Sequence, residues 1–273
     1  MRDELRRLIE ARLGLDEPEV VEIEEGWDSL VLEVGGEWIV RVPRREEVRK
    51  SVRLEVRLLA ELAPVLPAAV PRFDVTEDAE GVFFVAYRKL TGEPLRDPAP
   101  ALAPQLAGFL NVLHGFPRER ARAIGVPCQA DVVGRCRREV LPLLERDERR
   151  RAEAMFERFL TLGPTERRLI HADLGPAHIL HRRSELTGVI DWSDACLGDP
   201  ALDLAWLLHG TGEAFATDLL EAYRSERPDD AGLGERALFY HRLGPWHEVL
   251  FGLKHGRPEL VESGLEGVRS RLP

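Results

Sequence analysis

The order of segments in the first 90 residues constrains this chain more than any other feature. Residues 20–24 and 30–34 are short apolar or alternating runs, with Gly26, Trp27, Asp28 and Ser29 between them. Gly35-Gly36 is a two-residue hairpin signal, and residues 37–42 (EWIVRV) read as a third strand stopped by Pro43. Over residues 45–63 the apolar spacing becomes helical, with Val48, Val52, Leu58, Leu59 and Leu62 on and around one face. Residues 72–76 and 82–87 then give two more strands about a turn at 78–81. Beyond Thr91-Gly92 the pattern is mostly helical, at 101–114, 133–144, 149–162, 213–225, 234–241, 246–255 and 258–272. Asp199-Pro200 opens a further helix, with Asp as N-cap and Pro at the first helical position. The runs LIHADL, HILHR and GVIDW between residues 169 and 192 read as brief strands flanking a loop. Strands followed by helices predict an α+β protein. A small β-rich lobe, residues 1–90, joins a larger helical lobe, residues 91–273, at a hinge near 88–92.

Composition removes several function classes. A net charge of −10 argues against nucleic acid as the main partner, because phosphate binding needs a basic face. A cationic small molecule is better matched to such a protein. The longest stretch without formal charge, residues 98–117, contains four prolines and cannot span a lipid bilayer. The first 14 residues form a charged amphipathic helix with no apolar signal core. Cys128, Cys136 and Cys196 form no CxxC pair and read as reduced thiols. These features predict a cytoplasmic protein with neither membrane nor nucleic-acid partners.

The densest polar constellation is His171-Ala-Asp173, then His178, then Asp191 eighteen residues after Asp173. Phosphoryl transfer needs these residue types. One carboxylate orients or deprotonates an acceptor hydroxyl, and another holds metal ions on the nucleotide phosphates. A lone HxD is more often structural. Here it lies between apolar strands and is followed at suitable spacing by Ile190-Asp191-Trp192. A metal-dependent hydrolase built on His171, Asp173, His178 and His181 is a different reading, but it leaves the small-lobe pattern unexplained.

Residues 171–180 (HADLGPAHIL) and 188–205 (GVIDWSDACLGDPALDLA) resemble the aminoglycoside phosphotransferase family of the protein-kinase-like superfamily. The likeness is nearest to the aminoglycoside 2''-phosphotransferase and macrolide phosphotransferase types, and it extends over nearly the whole chain. It implies a two-lobed protein-kinase-like fold, with an antiparallel sheet and one helix in the nucleotide-binding lobe. It also implies a nucleoside-triphosphate-dependent kinase acting on a hydroxyl of an aminoglycoside-like antibiotic, with ATP or GTP as donor and Mg2+ as cofactor. A macrolide, an amino sugar or an amino alcohol is the alternative acceptor, and a nucleotide-binding module without turnover is the alternative class.

By position, the resemblance makes Asp173 the catalytic carboxylate and Asp191 the magnesium ligand. His178 takes the second metal position, where other members carry Asn; magnesium prefers oxygen ligands, so this departure weakens that site. Arg41 stands where a lysine is expected, with Glu55 as its helix partner, and Gly26 and Ser29 belong to the nucleotide loop. His171 would fix the catalytic loop, and Asp203 would hydrogen-bond it. Asp194, Glu213, Trp246 and Glu248 are the candidates for acceptor contact.

Overall fold

The structure is a computed structural model that describes residues 3–24, 29–79, 82–163, 165–226 and 230–273. Helix α1 (Asp3–Leu13) packs Leu5, Leu8, Ile9 and Leu13 against one face of a five-stranded antiparallel sheet. Its strands are β1 (Val20–Glu24), β2 (Ser29–Val34), β3 (Trp38–Pro43), β4 (Phe73–Ala79) and β5 (Val82–Arg88), in the order β1-β2-β3-β5-β4. At the β2–β3 hairpin Gly35 and Gly36 have φ of 60° and 71°, which side chains disfavour, and the Glu37 amide donates to Val34 O at 3.3 Å.

Alternation decides what each sheet face does. Leu32, Val34, Trp38, Val40, Phe84 and Ala86 meet α1. Phe83 and Val85 meet Val48 and Val52 of α2 (Glu46–Leu62), the helix between β3 and β4. Arg41 pairs with Val85 in the β3–β5 register and so shares the α2 face. The turn between β4 and β5, and Gly26 with its neighbours at 25–28, lie outside the described residues.

After β5, β6 (Glu93–Pro94) pairs with β8 (Ile179–Arg182), which pairs with β9 (Glu185–Val189). A 3₁₀ turn over Pro100–Leu102 leads into α3 (Ala103–His114), followed by α4 (Arg118–Ile124). Residues 133–162, expected as two helices, divide into α5 (Val132–Glu139), a 3₁₀ turn (Leu141–Leu143) and α6 (Arg146–Thr161). The Glu148 side chain accepts from the Glu145 amide at 2.8 Å, a capping contact that restarts the helix after Pro142. Strand β7 (Arg168–Ile170) pairs with β10 (Cys196–Gly198), and α7 (Ala201–His209) and α8 (Glu213–Ser225) follow.

The segments expected as separate helices at 234–241 and 246–255 are one helix, α9 (Leu233–His255), with Pro245 inside it. Proline removes the amide that would bond the carbonyl four residues earlier. That carbonyl, His241 O, instead accepts from Arg271 Nη1 at 2.6 Å, at the end of α10 (Pro258–Arg271). A Cβ on Gly264 or Gly267 would fall within 3 Å of Val249 or Pro245, so both glycines permit the close α9–α10 contact. The main core lies in this helical part, around Phe109, Phe156, Trp192, Tyr223 and Trp246.

Candidate active site

The loop after β7 is held from beneath by one carboxylate. Asp203, fully buried on α7, accepts from the His171 amide (2.9 Å) and the Ala172 amide (2.8 Å). Its Oδ2 also meets His114 Nε2 at 3.1 Å, and His114 Nδ1 meets the Tyr223 hydroxyl at 2.8 Å. The His171 ring donates from Nε2 to Ile190 O (3.0 Å) and accepts the Asp173 amide at Nδ1 (3.3 Å), so it ties the two site loops together. Desolvation holds this buried imidazole below the ordinary histidine range and in its neutral form. Ala172 and Asp191 both have left-handed φ, 70° and 62°, at the two residues where the loops turn.

Asp173, His178 and Asp191 come together. His178 Nδ1 lies 2.6 Å from Asp173 O and must donate to it, since a carbonyl only accepts. In the neutral ring Nε2 is then the nitrogen with the free lone pair, and it lies 3.8 Å from Asp191 Oδ2. The Asp173 carboxyl is pushed up to about 6, by desolvation first and then by Asp194, Asp191 and Asp203, with His178 opposing. Desolvation pulls Asp191 the same way, but Arg41, His178 and a 2.9 Å bond from Ser193 Oγ hold it below the ordinary range. The two carboxylates are thus driven apart in affinity for a proton.

Arg41 reaches this pair from the sheet. Its Nη1 lies 2.8 Å from both Glu55 oxygens, and its Nη2 lies 4.0 Å from Asp191 Oδ1. Burial pushes the Glu55 carboxyl upward against the pull of Arg41, and the Trp192 amide also donates to it. Ser29 is buried, and its hydroxyl has no hydrogen-bond partner among the described residues. Asp199, expected as the N-cap, stands one residue before the Pro200 cap of α7; it accepts the Ala201 amide at 3.0 Å and binds Arg236 Nε at 2.8 Å.

Asp173 also borders an open cavity of about 880 Å³. Asp194 and Glu248 line it, whereas Glu213 and Trp246 do not. Trp246 is 1% exposed and packs against Phe156 with ring centroids 5.2 Å apart, so its large apolar ring belongs to the core and not to the cavity. Glu213 stands exposed in the first turn of α8. The cavity further includes Trp206, Tyr240, His241, His247, Phe251 and Arg271, which the sequence reading does not single out as ligands. Tyr240, Gly244, His247, Glu248 and Phe251 repeat at helical spacing along one face of α9. That signal is legible only when α9 is read as continuous.

The chain is similar to several known phosphotransferases. The GDP and kanamycin complex of APH(2")-IIia is 27% identical, with a TM-score of 0.87 over 98% of each chain. Macrolide 2'-phosphotransferase MphH from Brachybacterium faecium is 28% identical, with a TM-score of 0.81 over 97% of this chain and 98% of that one. Viomycin phosphotransferase from Streptomyces vinaceus is 27% identical over 68% of this chain and 69% of its own. The family model described as "Phosphotransferase enzyme family" matches residues 19–239, a span that takes in the Arg41–Glu55 pair and both site loops. The chain therefore belongs to the phosphotransferase enzyme family.

Proposed function

We propose that the protein transfers the γ-phosphoryl group of ATP or GTP to a hydroxyl of an aminoglycoside-like antibiotic. One observation carries this reading: Asp173 borders the large cavity, while Asp191, 18 residues on, faces Arg41 and the small lobe. Asp173 takes the proton of the acceptor hydroxyl as its oxygen bonds to the γ-phosphorus. The bond to the bridging oxygen breaks, and the nucleoside diphosphate leaves. Residues 1–90 form the nucleotide-binding lobe and residues 91–273 the catalytic and acceptor lobe. Arg41 offsets phosphate charge, and the Ser29 hydroxyl, without a partner among the described residues, supports a phosphate contact.

The donor set suits one magnesium ion better than two. Asp191 offers an oxygen ligand, and magnesium commonly takes one or two carboxylates with the rest of its shell from water and substrate phosphates. His178 offers only a nitrogen, through Nε2, beside that carboxylate. When bound, the ion would neutralise charge on the phosphates. Among the described residues no helix is long and apolar enough to cross a membrane, and dependence on ATP or GTP with reduced thiols supports a cytoplasmic setting.

A macrolide acceptor is a second reading, favoured by the apolar lining that Val132, Leu174, Leu202, Trp206 and Phe251 give the cavity. A nucleoside-diphosphate-release assay against aminoglycosides, macrolides and amino sugars, with ATP and GTP in parallel, tests both. Turnover with an amino-sugar antibiotic is the expected result. Acceptor-independent hydrolysis alone would overturn the reading.

A further inference from the structure

Helix α3 carries two polar side chains into the core. It lies in a stretch of chain, residues 98–117, without formal charge, yet Asn111 and His114, one turn apart, are 5% and 0% exposed. Burying such groups is costly unless each finds a partner, so the destination of their bonds is informative. Asn111 Nδ2 donates to Tyr223 O at 3.3 Å, and the His114 ring bonds the Tyr223 hydroxyl at 2.8 Å. Helix α3 thus grips one residue of α8 by both its backbone and its side chain.

The protons in this cluster can be placed. His114 Nε2 lies 3.1 Å from Asp203 Oδ2, and a carboxylate only accepts, so Nε2 carries the hydrogen. In the neutral ring Nδ1 then accepts from the Tyr223 hydroxyl, whose ring stands edge-on to the imidazole with centroids 5.7 Å apart. Asp203 Oδ2 also accepts the His171 amide, while Oδ1 accepts that of Ala172. The donors therefore run from Tyr223 to His114 to Asp203, and the same carboxylate receives the loop. Tyr223, His114 and Asp203 are at most 1% exposed, so bulk solvent does not replace a lost partner.

We infer that His114 is a positioning residue for phosphoryl transfer, with Tyr223 fixing it from behind. It holds Asp203 in the rotamer that receives both loop amides, and so fixes Asp173, the next residue after Ala172. The inference rests on the reading of Asp173 given above. Without His114 only the two loop amides orient the carboxylate, and the left-handed turn at Ala172, φ 70°, is held less tightly. A small displacement of the reacting carboxylate costs turnover more than it costs binding.

The test compares the wild type with His114→Leu, His114→Gln and Tyr223→Phe, with Asp173→Asn assayed alongside. Leucine fills the site but donates nothing, whereas glutamine brings an NH2 group to the reach of imidazole Nε2. Steady-state kinetics are read together with hydrogen exchange over residues 169–174 and thermal unfolding. We expect His114→Leu to lower kcat about tenfold and Tyr223→Phe about threefold, with both KM values within about twofold. Exchange over residues 169–174 should quicken by about tenfold in His114→Leu while exchange in α9 matches wild type. His114→Gln should recover most of both losses. Should His114→Leu not fold, Tyr223→Phe keeps the ring and carries the same comparison. Unchanged loop exchange, quickened exchange with kcat unaltered, or no recovery by glutamine would show that His114 only fills the core, and would overturn the proposal. Asp173→Asn retaining more than a tenth of wild-type turnover would overturn the reading of Asp173 itself, and this proposal with it.

Discussion

A carboxylate placed among carboxylates pays for its position in stability. Asp173 is pushed up to about 6, so folding favours its protonated form. The resulting instability is full above pH 6 and disappears as the pH falls toward the unfolded value near 4. Removing the charge should therefore stabilise the protein while destroying its activity. Because 57% of the side chain remains exposed, solvent screens much of the effect, and about 1 kcal/mol, or roughly 2–4 °C in Tm, is expected for Asp173→Asn at pH 7.5. That gain should be absent at pH 4. Turnover should fall by about a hundred- to ten-thousand-fold with nucleotide affinity nearly unchanged. In the wild type, kcat/KM should drop as pH falls through about 6, because only the ionised carboxylate accepts the hydroxyl proton. A variant retaining more than a tenth of wild-type turnover, with chemistry rate-limiting, would remove Asp173 from this role. At this scale Asp173, His178 and Asp191 were readable because their spacing and flanking apolar runs are local. Arg271 was not, because its partner carbonyl lies 30 residues away and is freed by a proline.

Among the elements, the loop that carries Asp173 depends on α7. Its backbone turns through a left-handed Ala172 between β7 and Asp173, and the amides exposed by that turn have Asp203 as acceptor. An asparagine there conserves volume but presents an NH2 group where a carboxylate oxygen accepts. Asp203→Asn should leave a buried donor unmatched and destabilise the fold by about 1–3 kcal/mol, measured by urea unfolding. It should also lower kcat more than it raises the nucleotide KM, because the shifted loop carries Asp173 and not the nucleotide contacts. A neutral effect on unfolding would show that the loop amides find another acceptor. The sequence reading placed Asp203 one turn into its helix and within reach of this loop, because an N-cap expected at Asp199 fixes the helical phase. It broke α9 at Gly244-Pro245, because the compensating bond from Arg271 is tertiary. The same break moved Trp246 to a helix start beside the cavity, whereas an uninterrupted helix turns it into the core.

At the scale of the whole molecule, Glu55 links the sheet to the helical part beside Asp191. This buried carboxylate on α2 binds Arg41 of β3 through both oxygens and accepts the Trp192 amide beside Asp191. The α+β order of elements was legible because strand and helix periods differ, but the Trp192 contact was not, since nothing local links residues 55 and 192. Arg41 stands within 4.0 Å of Asp191, so its position is set by a balance between the two carboxylates. Glu55→Gln keeps the shape and removes one pole. Arg41 should then lean toward Asp191 and compete with the metal and phosphate for that carboxylate. The nucleotide KM should rise by about tenfold or more, the magnesium concentration for half-maximal activity should rise with it, and acceptor KM should stay within about twofold. Stability should fall by about 1–3 kcal/mol, since the buried pair loses one of its charges and Arg41 keeps only the half-exposed Asp191 as counter-charge. A variant that loses stability but keeps its nucleotide KM and magnesium dependence would show that Glu55 only supports the fold.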